Sequence, residues 1–131
     1  MPAPTPSFLA DEAVRAIAHA AAGQPRCAAC KPLSQPGWEA LSAVAETGSW
    51  DCVGTLRDGS DELSLDEYHP DGTSYWSPDA PIALGKFPYN HCTVWVCRNC
   101  AGAFLRYTEY GGYYEEQRAR PLAENLLVRP G

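Results

Sequence analysis

The sequence predicts an α+β fold, two N-terminal helices packed on a mostly antiparallel β-sheet, stapled by a metal-binding knuckle. Three observations carry the prediction. Two Cys-x-x-Cys clips, Cys27-Ala28-Ala29-Cys30 and Cys97-Arg98-Asn99-Cys100, stand 66 residues apart (31–96). Apolar residues recur at helical spacing through residue 46 and alternate with polar ones from Trp50 onward. Gly- and Pro-containing turn signals then divide the second half into short extended runs.

Residues 1–6 are rich in proline and are expected to form a flexible leader. Ser7 is placed to cap a helix over 7–22, with Asp11 and Glu12 favouring its N-terminal dipole and Gly23 as its stop. Phe8, Leu9, Ala13, Ile17 and Ala20 share its apolar face, and His19 meets solvent or a neighbouring carboxylate. The first clip follows, ended by a tight turn at Lys31-Pro32. A second helix is expected over 36–46, because Pro36 suits a first helical position, Trp38, Leu41 and Ala45 share a side, and Gly48 closes the segment. Trp38 is read as core.

From Trp50 the period becomes that of a strand, with Trp50, Cys52, Gly54 and Leu56 on one side and a turn at 57–60. A strand over 62–68, a turn at His69-Pro70-Asp71-Gly72 and a return strand over 73–76 are expected next, then an irregular loop over 77–88. The β-branched and aromatic runs 93–96 and 103–107 flank the second clip and predict a hairpin with the clip at its tip, Gly102 permitting the return. Gly111-Gly112 marks another turn, 113–116 an edge strand, and Leu122, Leu126, Leu127 and Val128 a short packed turn of helix in the tail.

The length of 131 residues, with 45% hydrophobic and 20% charged residues, fits a single domain spanning 1–131. A net charge of −6 repels a phosphate backbone, which makes nucleic acid an unlikely main ligand and favours a basic protein partner. No stretch approaches the roughly 18 apolar residues that a membrane span needs, and the N-terminus lacks the basic and apolar regions of a signal peptide. A soluble, cytoplasmic protein is expected. The six cysteines would suit three disulfides in a secreted chain, but a reducing cytosol keeps thiols free for metal.

A two-residue spacer lets each clip curl so that both sulfurs face one ion about 2.3 Å away, and two clips close a tetrahedral zinc site. The segment Val94-Trp95-Val96-Cys97-Arg98-Asn99-Cys100-Ala101-Gly102-Ala103-Phe104 resembles the knuckle of the zinc-ribbon class. That resemblance implies a structural Zn2+ held by Cys27, Cys30, Cys97 and Cys100. Two departures stand beside it: the first clip follows a helix, and the separation of 66 residues far exceeds that of compact ribbons. Cys52, His91 and Cys92 are spare ligands, able to replace one of the four, or simply buried groups.

No enzyme is expected. Four thiolates fill the tetrahedron that a catalytic zinc leaves open. His69-Pro70-Asp71 has Asp where a deaminase needs Glu, and Val96 rather than Pro precedes Cys97. There is no P-loop, G-x-S-x-G or H-E-x-x-H motif, and neither clip sits between a strand and a helix as a thioredoxin-type site does.

Between 51 and 71 the acidic residues Asp51, Asp58, Asp61, Glu62, Asp66, Glu67 and Asp71 face one basic residue, Arg57. The run is a solvated face or a docking surface for a basic partner, in which Asp58, Asp61, Glu62, Asp66, Glu67 and Tyr68 make the contact. The Tyr-rich stretch 104–114 after the second clip is similar to small bacterial cytoplasmic immunity proteins that neutralise secreted toxins. That likeness implies a non-enzymatic binding protein that covers a basic partner. The alternative is a zinc-ribbon-like nucleic-acid or transcription module using Arg98, Arg106, Tyr107 and Tyr110, and thiol redox chemistry at a clip is a third reading.

Overall fold

The structure, a computed structural model, describes residues 7–33, 37–41, 48–57, 65–68, 80–110, 113 and 115–129. Along the chain these form α1 (Asp11–Ala21), β1 (Glu39–Ala40), β2 (Trp50–Thr55), β3 (Ile82–Ala83), β4 (Thr93–Cys97), β5 (Ala103–Tyr110), β6 (Glu115–Pro121) and β7 (Leu127–Val128). Short 3-10 turns stand at Lys31–Leu33, Tyr89–His91 and Glu124–Leu126. The main sheet is antiparallel with order β1-β6-β5-β4-β2, and β3 and β7 pair in parallel as a small second sheet.

The fold is therefore mainly β, with one α-helix among the described residues, and the predicted pair of N-terminal helices on a sheet is corrected. Inside the segment read as the second helix, Glu39 and Ala40 pair with Ala119 and Arg118 of β6. The backbone donors and acceptors along β6 would otherwise lack partners, and that tertiary demand outweighs a short helical pattern. Pro36 and residues 42–46 lie outside the described residues. Trp38 is buried as expected, its ring 4.8 Å edge-on to Tyr107 and 5.8 Å from Tyr89.

Helix α1 begins at Asp11 with Ala10 as its N-cap and no side-chain cap, so Ser7 does not cap it. Residues 7–9 run beside β2 instead: Thr55 N–H donates to Ser7 O and Leu9 N–H to Thr55 O, each at 2.9 Å. Leu9 packs where β2 has its irregularity between Cys52 and Gly54, and a Cβ on Gly54 would lie 2.4 Å from Leu9 Cγ, which requires glycine there. The buried stripe is Val14, Ala18 and Ala21, one helical face displaced from the predicted one. His19 Nδ1 meets the Glu124 carboxylate at 3.0 Å, as expected, and Arg129 Nε donates to Asp11 Oδ2 at 2.7 Å.

The hairpin around the second clip forms as predicted, with Val94 opposite Leu105 and Val96 opposite Ala103. Strand β5 is buried on both faces at its start, residues 103–105, because alternate residues enter different apolar clusters. Ala103, Leu105 and Tyr107 join Val14, Ala18, Ile82, Val94 and Leu122, whereas Phe104 joins Leu33, Leu41, Trp50 and Ala119. Glu115 and Glu116, read as part of an edge strand, open β6 and pair with Tyr110 and Glu109 of β5, while β1 covers β6 on its other side at Arg118 and Ala119. Leu65–Tyr68 has no strand structure, which corrects the strand over 62–68 in its described part, and the expected turns and return strand over 58–60 and 69–76 lie outside the described residues. The irregular loop over 77–88 contains β3, and the tail turn is the 3-10 turn Glu124–Leu126. Among the described residues no helix is long and apolar enough to cross a membrane.

Arg120 is fully buried. Its Nη1 donates to the Tyr89 hydroxyl at 2.9 Å and its Nη2 to Ala80 O at 3.2 Å, while its guanidinium lies 5.9 Å from the Trp38 ring centroid. Burial lowers its pKa and the Tyr89 phenol opposes that shift.

Candidate metal centre

The first clip is shaped by the chain leaving α1. Gly23 at φ 79° stops the helix, Cys30 N–H and Lys31 N–H both return to Cys27 O at 3.1 and 2.9 Å, and Leu33 anchors the turn in the core. The second clip closes the β4–β5 hairpin. Cys97 N–H donates to Gly102 O and Ala101 N–H to Cys97 O, each at 2.9 Å.

The left-handed residue of that turn is Ala101, at φ 59°, and not Gly102. Gly102 is closely surrounded: a Cβ there would stand 3.1 Å from Arg26 Nη1 and 3.2 Å from the Phe104 ring, so one of these side chains would have to shift by a few tenths of an ångström. Arg26 lies over that ring, 5.4 Å from its centroid.

Together the clips bring the Sγ atoms of Cys27, Cys30, Cys97 and Cys100 within 4.8 Å of one another. Cys27 Sγ and Cys97 Sγ are 3.9 Å apart. A regular tetrahedron with metal–sulfur bonds of about 2.3 Å has edges of about 3.8 Å, so the cluster has the dimensions of a single-ion site. Cys30 and Cys97 are 0% and 1% exposed, whereas Cys27 and Cys100 are half-buried.

The protein supplies donors to these sulfurs. Trp50 Nε1 donates to Cys30 Sγ at 3.3 Å, Asn99 N–H donates to Cys97 Sγ at 3.4 Å, and the Ser49 hydroxyl lies 3.4 Å from the same sulfur. Burial pushes the Cys30 thiol up, and the Trp50 N–H opposes it. At Cys97 burial also works upward, but the Ser49 hydroxyl and the Cys100 and Asn99 backbone donors prevail and bring it down to about 6. A divalent cation favours the thiolate form of all four groups. The donor set and its outer partners therefore fit a soft-ligand metal ion.

The remaining predicted residues fall elsewhere. Cys52 is exposed on β2 with its Sγ 3.6 Å from Gly54 O, and buried Cys92 donates to Pro88 O at 3.3 Å. His91 packs edge-on against Phe87 at 5.2 Å. None of the three belongs to the four-sulfur cluster. Asp66, Glu67 and Tyr68 are exposed, with Asp66 O accepting from Phe87 N–H at 2.7 Å, while Asp58, Asp61 and Glu62 lie outside the described residues. Of the residues suited to nucleic acid, Tyr107 is buried and Arg98 is engaged by Asp51 Oδ1 at 2.6 Å and Gly48 O at 2.9 Å.

Sequence reasoning missed Ser49 and Trp50 as partners of the sulfurs. No motif links residue 49 or 50 to residue 97; the link is the β2–β4 register, which sets Trp50 opposite Cys97. Trp50 also stacks on Phe104, centroids 4.4 Å apart and planes 6° from parallel, which holds its N–H toward Cys30. Compared with models of known protein families, with curated proteins and with solved structures, the chain matches none, and the likeness to immunity proteins gains no support there.

Proposed function

We propose that this chain is a non-enzymatic binding protein built around a structural zinc ion held by Cys27, Cys30, Cys97 and Cys100. The observation that carries the metal reading is the convergence of four cysteine sulfurs within 4.8 Å, two of them sealed from solvent. Zinc suits four thiolates in a tetrahedron, and with all four positions taken its role is to hold structure. It ties the chain after α1 to the tip of the β4–β5 hairpin, a link across 66 intervening residues (31–96). The test is elemental analysis of protein purified without chelator, paired with thiol counting under denaturing conditions. One zinc per chain with six reactive thiols is expected; metal-free protein with fewer thiols overturns the reading.

For the partner, the proposal is a basic protein of the toxin type, met by the acidic segment that includes Asp58, Asp61, Glu62, Asp66, Glu67 and Tyr68. Its support is the charge of −6 and the exposure of Asp66, Glu67, Tyr68 and Leu65. Charge reversal at Asp61, Glu62 and Asp66 is expected to weaken capture of that partner. Unchanged affinity in the triple variant removes the acidic face from this reading.

A further inference from the structure

The four sulfurs are not equivalent. Cys27 and Cys100 line an open groove of about 440 Å³ together with Arg26, Arg98 and Asn99, while Cys30 and Cys97 are turned into the core beneath. Among the described residues, this groove is the side from which a soluble electrophile reaches the centre. Across the two clips, groove-lining Cys27 Sγ stands 3.9 Å from buried Cys97 Sγ.

We propose that Cys27 is a peroxide-reactive site, and that its oxidation replaces the metal staple with a Cys27–Cys97 disulfide and expels the ion. The inference rests on the zinc reading above. The Cys27 thiolate attacks one oxygen of hydrogen peroxide, the O–O bond breaks, and hydroxide leaves, so that Cys27 becomes a sulfenic acid. The Cys97 thiolate then attacks Cys27 Sγ, forms the S–S bond and expels a second hydroxide. Two electrons pass from the two sulfurs to peroxide. Zinc retains only Cys30 and Cys100, which hold it weakly and take up protons as it departs. Closing 3.9 Å to the roughly 2.05 Å of a disulfide needs a side-chain rotation as the two sulfurs leave the ion. The new bond joins the same two elements that the metal joined, so the hairpin stays tethered to the first clip.

The experiment uses full-length Cys52→Ser protein, because Cys52 is exposed, lies outside the cluster and would otherwise react first. Zinc content is measured before any oxidant is added. Hydrogen peroxide is then titrated while released zinc is followed with a colorimetric chelator and thiols are counted. Expected are two thiols lost per zinc released, a Cys27–Cys97 cross-link in non-reducing peptide maps, and recovery of the centre with dithiothreitol and zinc. In the zinc-loaded protein N-ethylmaleimide should label Cys27 and Cys100 before Cys30 and Cys97. Zinc that persists with its thiols intact, disulfides within a clip (Cys27–Cys30 or Cys97–Cys100), or early labelling of Cys30 overturns the inference alone. Protein that carries no zinc at the outset overturns the zinc reading and this inference together.

Discussion

The indole N–H of Trp50 donates to Cys30 Sγ over 3.3 Å, joining the edge strand β2 to the first clip. The same ring is stacked on Phe104 of β5, so one side chain serves the apolar cluster and the sulfur cluster at once. Replacing it separates the two roles. Trp50→Phe keeps an aromatic surface against Phe104 and removes the N–H. Loss of such an outer partner is expected to weaken zinc affinity by about 10-fold or more. Competition with a chelator of known affinity measures this, and unchanged affinity means that the N–H does not tune the sulfur.

Because binding energy at a structural site is folding energy, Cys97→Ser should lose the metal and most of the cooperative melt. Stripping the wild-type protein with a strong chelator should produce the same loss, reversed by added zinc. Circular dichroism melts with and without chelator test both arms. A variant that keeps its metal and its melting temperature removes Cys97 from the ligand set.

Arg120 is the largest fully buried side chain, and its charge is met by the Tyr89 hydroxyl, the Ala80 carbonyl and the Trp38 face. Truncation to alanine leaves a cavity and an unpaired Tyr89 hydroxyl, with an expected cost of about 3 kcal/mol. Arg120→Met fills the space without the charge, and replacing a buried charge by an apolar side chain is often nearly neutral. Urea unfolding should therefore rank the methionine variant well above the alanine one. A methionine variant as unstable as the alanine one would mean that the charge and its hydrogen bonds themselves stabilise the fold.

Asp11 is paired with Arg129, which fastens the start of α1 to the chain beyond β7. The Arg129 hydrogen bond, with its charge, holds the Asp11 carboxyl below the ordinary carboxylate value, although burial works against it. A carboxylate whose folded pKa is depressed contributes stability that is complete above its unfolded pKa near 3.9 and disappears as pH falls through the folded value. Both side chains are more than a third exposed, so solvent screens the pair and its contribution is about 0.5 kcal/mol. Asp11→Asn should lower stability by that amount at pH 7 and by progressively less as pH falls below the unfolded value, and 1 M salt should erase the difference.

The spacing within each clip and the β-branched runs beside the second one made the hairpin and the pairing of sulfurs within each clip legible in advance. Both depend on neighbours in sequence: a two-residue spacer brings two sulfurs together, and alternation marks a strand. The described start of the second helix was misread for the converse reason. Trp38, Leu41 and Ala45 carry a helical period, yet Glu39–Ala40 is taken up by the backbone of β6, roughly 80 residues onward. The start of α1 failed similarly, since Ser7 and Leu9 bond to Thr55 of β2.

By itself, then, the sequence determined the parts whose physics is local: the two clips, the strands that flank the second one, the stop at Gly23 and the turn in the tail. Tertiary structure alone decided that β6 lies inside the sheet, that Ser49 and Trp50 attend the sulfurs, and that Cys27 and Cys100 face solvent while Cys30 and Cys97 do not. The reason is that backbone pairing and burial are satisfied between segments far apart in the chain. Residues 50 and 97 become neighbours only through a strand register that no short window of residues encodes.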